Sequence, residues 1–237
     1  MMMTTIADSQ VTPIALGAIG KVFLVRGDAG AILVDTGMPG QADQIVDALA
    51  AHGVKPEDIR LILITHGHVD HIGSVRELHE RTGAPVAVHA GDAAALRGEE
   101  DLAANAVPTS RIFGTLMRLG ARLAPPSPDS ALEPDIVFDA AWRLDEYGVA
   151  GEVIPTPGHS PGSVSLLLDN GEAIVGDLVM GSMLFPKRPT PPRIAWDLER
   201  NWASLRAVLD RQPKIVYITH GQAFAPEVLR QLLTRYA

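Results

Sequence analysis

The chain of 237 residues contains no cysteine. That excludes disulfides, a thiolate nucleophile and any thiolate metal ligand. Positive charge is also scarce: 20 Lys and Arg stand against 28 Asp and Glu, a formal net charge of -8. Proteins that bind nucleic acid generally present a basic face, so no nucleic-acid partner is expected. No apolar run reaches the roughly 20 residues of a membrane-spanning helix. Met1 to Gln10 have neither the basic start nor the apolar stretch of a signal peptide. A cytoplasmic protein with no membrane partner is the expectation.

What is there supports a substantial core. Hydrophobic residues make up 46% of the chain, and the length suits one large domain or two small ones. Val22-Phe23-Leu24-Val25 and Ala31-Ile32-Leu33-Val34 read as strands separated by a Gly-rich turn. Residues 41 to 52 have helical spacing and end at Gly53. Leu61-Ile62-Leu63-Ile64 reads as a buried strand. A helix follows to about Gly83, then the strand Pro85-Val86-Ala87-Val88. From about Gly91 to Pro134 the composition shifts to Ala and Arg and closes in prolines. Within it, Ile112, Phe113, Leu116, Met117, Leu119 and Leu123 have approximate helical spacing, which suggests a helical insertion. Strands return at residues 136–138, 153–154, 164–168 and 173–175. A Pro-rich loop at 186–192, a helix at 198–209, a strand at 215–218 and a last helix from Pro226 complete the chain. Two halves of similar make-up suggest two sheets packed face to face with helices outside.

Thr65-His66-Gly67-His68-Val69-Asp70-His71 follows directly on the 61–64 strand. It places three imidazoles and a carboxylate within six positions at a strand end. These are ligands that suit zinc, iron and similar ions, and a solvated loop does not account for such a cluster. Three more polar residues end apolar strands in the same way. His159 lies in Thr156-Pro157-Gly158-His159-Ser160-Pro161-Gly162, Asp177 follows Ile174-Val175-Gly176, and His220 follows Ile215-Val216-Tyr217-Ile218-Thr219. A single histidine after a strand is more often structural than a ligand. Four such junctions together point to a metal site. Of the remaining histidines, His52 and His79 fall on predicted helices, and His89 follows a strand without a glycine setting. Surface, structural or outer-shell roles are expected for these three.

The ordered set His66-Gly67-His68-Val69-Asp70-His71, His159, Asp177 and His220 resembles the five-motif signature of the metallo-β-lactamase fold superfamily. Asp35 in Val34-Asp35-Thr36-Gly37 is similar to the first motif. The likeness runs from about residue 15 to 225, with 91 to 134 as the variable part. One departure is Ser74 after Gly73, where many members have a second glycine. The resemblance implies an α/β (α+β) fold, a four-layer αββα sandwich over residues 1–237 with the site at one edge. It implies two divalent metal ions: His66, His68 and His159 on one, Asp70, His71 and His220 on the other, and Asp177 between them. Zinc is the expected metal, and iron and manganese suit the same ligands. Asp35 would orient ligands from behind.

The resemblance further implies a hydrolase acting on a carbonyl. A divalent ion lowers the pKa of bound water from 15.7 to about 7, so a hydroxide shared by two ions would attack, oriented by Asp70. Members that are true β-lactamases generally lack an Asp at the position of Asp177 and often use a Cys. The Asp-bridged pattern is similar instead to glyoxalase II and the acyl-homoserine lactonases, which implies a small ester, thioester or lactone substrate. Only 17 residues follow His220, so the glutathione-binding helical extension of glyoxalase II is expected to be absent or reduced. Two other classes stand beside this reading. Persulfide dioxygenases resemble the same scaffold with one iron, whose ligands would map to His66, His159 and Asp177. A non-catalytic metal-binding scaffold would be expected to have lost some of the seven ligands. For the substrate pocket, the 111–123 stretch offers Phe113 and Met117, and it is also available as a homodimer surface. The loop after Asp177 offers Met180, Met183 and Phe185, followed by basic Lys187, Arg188 and Arg193. A partly apolar small molecule, anionic at one end, is the expected partner.

Overall fold

A computed structural model describes residues 9–17, 20–110, 115, 131–182 and 187–236. The strands are β1 (Gln10–Leu16), β2 (Gly20–Arg26), β3 (Ala31–Val34), β4 (Ile59–Leu63), β5 (Val86–His89), β6 (Val107–Pro108), β7 (Ile136–Phe138) and β8 (Trp142–Arg143). They continue with β9 (Gly151–Pro155), β10 (Val164–Leu168), β11 (Glu172–Ile174), β12 (Met180–Gly181), β13 (Pro189–Thr190), β14 (Ile194–Ala195) and β15 (Ile215–Tyr217). The α-helices are α1 (Ala42–Ala51), α2 (Val69–Ile72), α3 (Val75–Thr82), α4 (Ala93–Leu96), α5 (Leu102–Asn105), α6 (Leu198–Asp210) and α7 (Pro226–Tyr236).

Two sheets form the body. One has the order β1-β2-β3-β4-β5-β7 and the other β15-β11-β10-β9-β8. Successive side chains of a strand point to opposite faces, and the strands obey this in both sheets. Leu33, Ile62 and Val86 face outward onto Ile45 and Leu49 of α1 and Leu78 of α3. Their neighbours Ile32, Val34, Leu61, Leu63 and Ala87 face inward onto Val153, Leu166 and Ile174 of the second sheet. That sheet's other face carries Ile154, Ala173 and Val216, which pack on Trp202 and Leu205 of α6 and Leu229 of α7. Three apolar layers therefore separate four structural layers, an αββα sandwich. Central strands buried on both faces explain the unbroken apolar runs in the sequence, where a half-exposed strand would alternate.

The register places the site. β3, β4, β5 and β7 are mutually parallel, and so are β11 and β15. Their carboxyl ends open at one edge of the sandwich, where Asp35, His66, Asp177 and His220 follow β3, β4, β11 and β15. The start of the 91–134 segment is part of this body: Ala93 and Leu96 of α4 are buried in the first helix layer. Thr115 aside, residues 111–130 lie outside the described part of the chain. Among the described residues no helix is long and apolar enough to cross a membrane.

Candidate metal centre

Seven side chains converge at this edge. They form three overlapping groups, His66-His68-His159, His66-His71-Asp177 and Asp70-His71-His220, and the ligand atoms of each group lie within 4.8 Å of one another. The strand β4 ends at Leu63, and the chain turns through Thr65 and His66 before α2 begins at Val69. His66 and His68 thus come from an extended loop, and Asp70 and His71 from the first turn of a short helix. His159 is delivered by the loop after β9. Gly158 there has φ of +143°, and a Cβ on it would lie 2.2 Å from the Asn201 backbone nitrogen, so α6 passes directly behind the His159 loop.

The site is buried and holds several unpaired polar atoms. His66 Nε2, His68 Nε2, His71 Nε2 and Asp177 Oδ1 are buried without a hydrogen-bond partner. Such atoms are costly unless something satisfies them. Meanwhile the opposite ring nitrogens are engaged. His71 Nδ1 donates to Asp35 Oδ2 at 2.8 Å, and His159 Nδ1 donates to the Ile194 carbonyl at 3.0 Å. Each bond fixes the tautomer that leaves Nε2 with a lone pair for a metal. Asp35 also accepts from Thr65 N and Thr65 Oγ1 at 2.8–2.9 Å. It does so in a left-handed conformation, φ +64°, that non-glycine residues seldom adopt.

Asp177 reaches both sides of the cluster. Its Oδ2 lies 3.7 Å from His159 Nε2 and 3.3 Å from His220 Nε2, and its Oδ1 lies 3.7 Å from His71 Nε2. Asp70 Oδ2 lies 3.0 Å from His220 Nε2. The proton affinities divide the site into two halves. Burial pushes His68 and His159 down to about 4 and holds His66 well below its ordinary value, so these three rings are neutral at pH 7. Burial opposes the charge on His71 and His220 too, but the neighbouring carboxylates outweigh it. Asp35, Asp70 and Asp177 raise His71 well above 6.5, and Asp177 and Asp70 lift His220 to about 10. Burial acts to raise Asp70 and Asp177, yet facing histidines hold both well below the ordinary carboxylate range. Neutral imidazoles and ionised carboxylates are metal-ligand forms, and the donor set fits divalent cations.

Residues 17–220 match the profile of the metallo-beta-lactamase superfamily. The chain belongs to this superfamily. Among its relatives, the probable metallo-hydrolase YflN of Bacillus subtilis is 29% identical over 222 residues, which span 87% of this chain and 81% of that one. The hydroxyacylglutathione hydrolase of Anaeromyxobacter dehalogenans is 36% identical over 211 residues, spanning 88% of this chain and 66% of that protein. TTHA1623, whose crystal structure is in a di-iron-bound form, superposes with a TM-score of 0.67 at 25% identity, over 93% of this chain and 98% of that one. The B3 metallo-beta-lactamase BLEG-1 shares the fold, with a TM-score of 0.68 at 23% identity over 94% and 97% of the two chains.

The structure also places the other residues singled out from the sequence. Ser74 is buried, donates to the Met38 carbonyl at 2.7 Å and accepts from Gln41 N at 3.0 Å. The hydroxyl thereby ties the loop after Asp35 to the start of α3. His52 is exposed, and His79 Nδ1 donates to the Ala84 carbonyl at 2.9 Å. His89 Nδ1 accepts from Gly91 N at 3.1 Å, and its ring packs edge-on against Phe138. Of the suggested substrate contacts, Met180 lies on β12 with only 5% of its surface exposed. Met183, Phe185, Phe113 and Met117 lie outside the described residues. The apolar groups that do surface beside the ligands are different ones. Val69, between His68 and Asp70, is 40% exposed, and Trp196 is 39% exposed. Trp196 N donates to the His159 carbonyl at 3.0 Å. One buried carboxylate, Asp92, had no sequence signal beyond its charge, because it sits in an Ala-rich stretch without a histidine beside it.

Proposed function

We propose that this chain is a dinuclear metallo-hydrolase that cleaves a small ester, thioester or lactone. The observation that carries the reading is the position of Asp177, whose Oδ2 lies between His159 and His220 while its Oδ1 faces His71. In this reading His66, His68 and His159 hold one divalent ion, Asp70, His71 and His220 hold the second, and Asp177 joins them. Zinc suits the N/O donor set, and the di-iron form of TTHA1623 keeps iron as the competing metal. Divalent ions held here supply a nucleophile at neutral pH and polarise the carbonyl under attack.

The protein's own groups do the rest. Asp70 is the most open of the carboxylates, with 27% of its side chain exposed against 3% for Asp177. Its histidine neighbours keep it ionised, which makes it a hydrogen-bond acceptor for the attacking water and a poor proton store. The His66, His68 and His159 rings stay neutral without any shift in the surroundings. Asp35 and the Ile194 carbonyl hold His71 and His159 in register by their Nδ1 protons. Val69 and Trp196 offer apolar surface at the rim, which favours an acyl group, and Lys187, Arg188 and Arg193 favour an anionic end. The partner is then a small molecule and not a nucleic acid, in keeping with the net charge of -8.

The test is kcat/KM of the zinc-loaded protein for a lactoyl thioester, a long-chain acyl-homoserine lactone and a β-lactam. Preference for the lactone supports an apolar acyl site. Preference for the thioester supports a glyoxalase II-like hydrolase, as the Anaeromyxobacter relative suggests. Preference for the β-lactam, or no turnover of esters, thioesters or lactones with two zinc ions bound, overturns the proposal.

A further inference from the structure

We infer that Asp92 is a positioning residue for the His66-His68-His159 half of the centre, acting on it as Asp35 acts on the other half. This rests on the proposal that those three histidines hold an ion. Asp92 follows β5 and is fully buried. Its carboxylate accepts three hydrogen bonds: Oδ2 from Gly67 N at 2.8 Å and from Ser160 Oγ at 2.6 Å, and Oδ1 from Gly162 N at 2.6 Å. Gly67 separates His66 from His68, and Ser160 follows His159. One carboxylate thus spans the two loops that bring the three imidazoles together.

The surroundings leave the loops little other means of keeping that span. A Cβ on Gly162 would lie 2.5 Å from Asp92 N and 2.7 Å from Asp92 Oδ1, and a Cβ on Gly91 would lie 2.8 Å from Gly162 N. The two backbones are therefore in direct contact, with Asp92 filling the junction. Ser160 Oγ also lies 2.7 Å from Ser163 Oγ, and Ser163 Oγ accepts from Ser160 N at 3.0 Å, so the His159 loop is braced from within as well. Charge-assisted bonds that a carboxylate accepts are short and strong, and two from backbone N–H groups and one from a hydroxyl, spread over two loops, hold a distance that apolar packing would leave soft. Asp35 makes the matching set on the other side, to Thr65 and to His71 Nδ1. Each half of the centre then has its own buried anion behind it.

The experiment is a cobalt titration of the full chain, read by visible absorption, with His220→Ala and His159→Ala marking the bands of the two halves. Loss of such an outer contact typically weakens metal affinity about 10- to 100-fold. Asp92→Ala is expected to weaken the His66-His68-His159 half by that range and leave the other half within a few-fold of wild type. Asp92→Asn, of equal size but with an amide facing a donor, is expected to weaken it less, and Ser160→Ala least. Thermal unfolding of the same variants reads the fold separately; should Asp92→Ala fail to fold, Asp92→Asn and Ser160→Ala decide the question. Wild-type cobalt affinity in those two variants, or an equal loss in both halves, overturns the inference. Wild-type protein that takes up no cobalt overturns the metal reading and this inference with it.

Discussion

His159 Nε2 faces His68 Nδ1 across 2.9 Å. With His159 Nδ1 committed to the Ile194 carbonyl, the proton between the two rings sits on His68. Nitrogens bound to one tetrahedral zinc at 2.0–2.1 Å would be roughly 3.4 Å apart, so a small outward movement of the rings, with the His68 proton moved from Nδ1 to Nε2, accommodates an ion. His159→Ala removes one of three neutral imidazoles and leaves the Asp70-His71-His220 group intact. Bound zinc, measured by elemental analysis after dialysis, is expected to fall from two per chain to one. Hydrolysis should fall at least ~100-fold, beyond the effect of losing an outer contact. Two zinc ions retained by the variant would contradict the assignment.

The two halves should differ in the protons they release. At pH 8 His66, His68 and His159 are neutral before any ion binds, because their proton affinities are lowered, to about 4 for the latter two. His71 and His220 are raised, His220 to about 10, so His220 carries a proton at that pH and His71 holds one more tightly than an ordinary imidazole. Metal must displace those protons. The sign follows: affinity of the first half is flat between about pH 6 and 8, and affinity of the second rises with pH until His220 is deprotonated near 10. Calorimetry at pH 8 in two buffers of different ionisation heat is expected to show at least one proton more released with the second half's ion than with the first's, beyond any proton that water bound to either ion gives up. Equal release from both would mean that the division into halves is wrong.

The seven side chains could be read from the sequence because the four segments that carry them each follow an apolar strand, and the ends of those strands gather at one edge. The four layers were legible for a related reason, since doubly buried strands leave unbroken apolar runs such as Ala31 to Val34. What escaped lacks any such pattern. β6, β8, β12, β13 and β14 are two residues long, too short for a period to show. Asp92 sits in an alanine-rich run that reads as the start of an insertion, although Ala93 and Leu96 pack in the core. Trp196 has no helix or strand to give it direction, and only its hydrogen bond to the His159 carbonyl brings it beside the site.

Trp196 therefore serves to test the substrate reading. Its ring is partly exposed, with the Arg200 guanidinium 5.3 Å from the ring centroid on one face. Burying a large apolar side chain against a ligand contributes about 1.5–3 kcal/mol, and a ring that is already half covered has about half of that to offer. Trp196→Ala is expected to raise KM for a long-chain lactone about 5-fold, with kcat changed less than 2-fold. A fall in kcat at unchanged KM would mean that the residue supports the His159 loop and not the substrate.

Asp35 combines a backbone role with an electrostatic one, and two substitutions separate them. The left-handed conformation at φ +64° costs an ordinary residue roughly 1–2 kcal/mol, while Asn adopts it with little penalty. Asp35→Asn keeps the shape but removes the charge behind His71 and one of the acceptors for Thr65. Metal affinity of the Asp70-His71-His220 half is then expected to drop about 10- to 100-fold. The His66-His68-His159 half should change less, since Asp35 reaches it only through Thr65. Asp35→Ala adds the backbone cost, so urea unfolding of the metal-free proteins should place it about 1–2 kcal/mol below Asp35→Asn. Equal stability of the two variants would show that the backbone relaxes once the carboxylate is gone, and that the strain at residue 35 is maintained by the bonds to Thr65 and His71 alone.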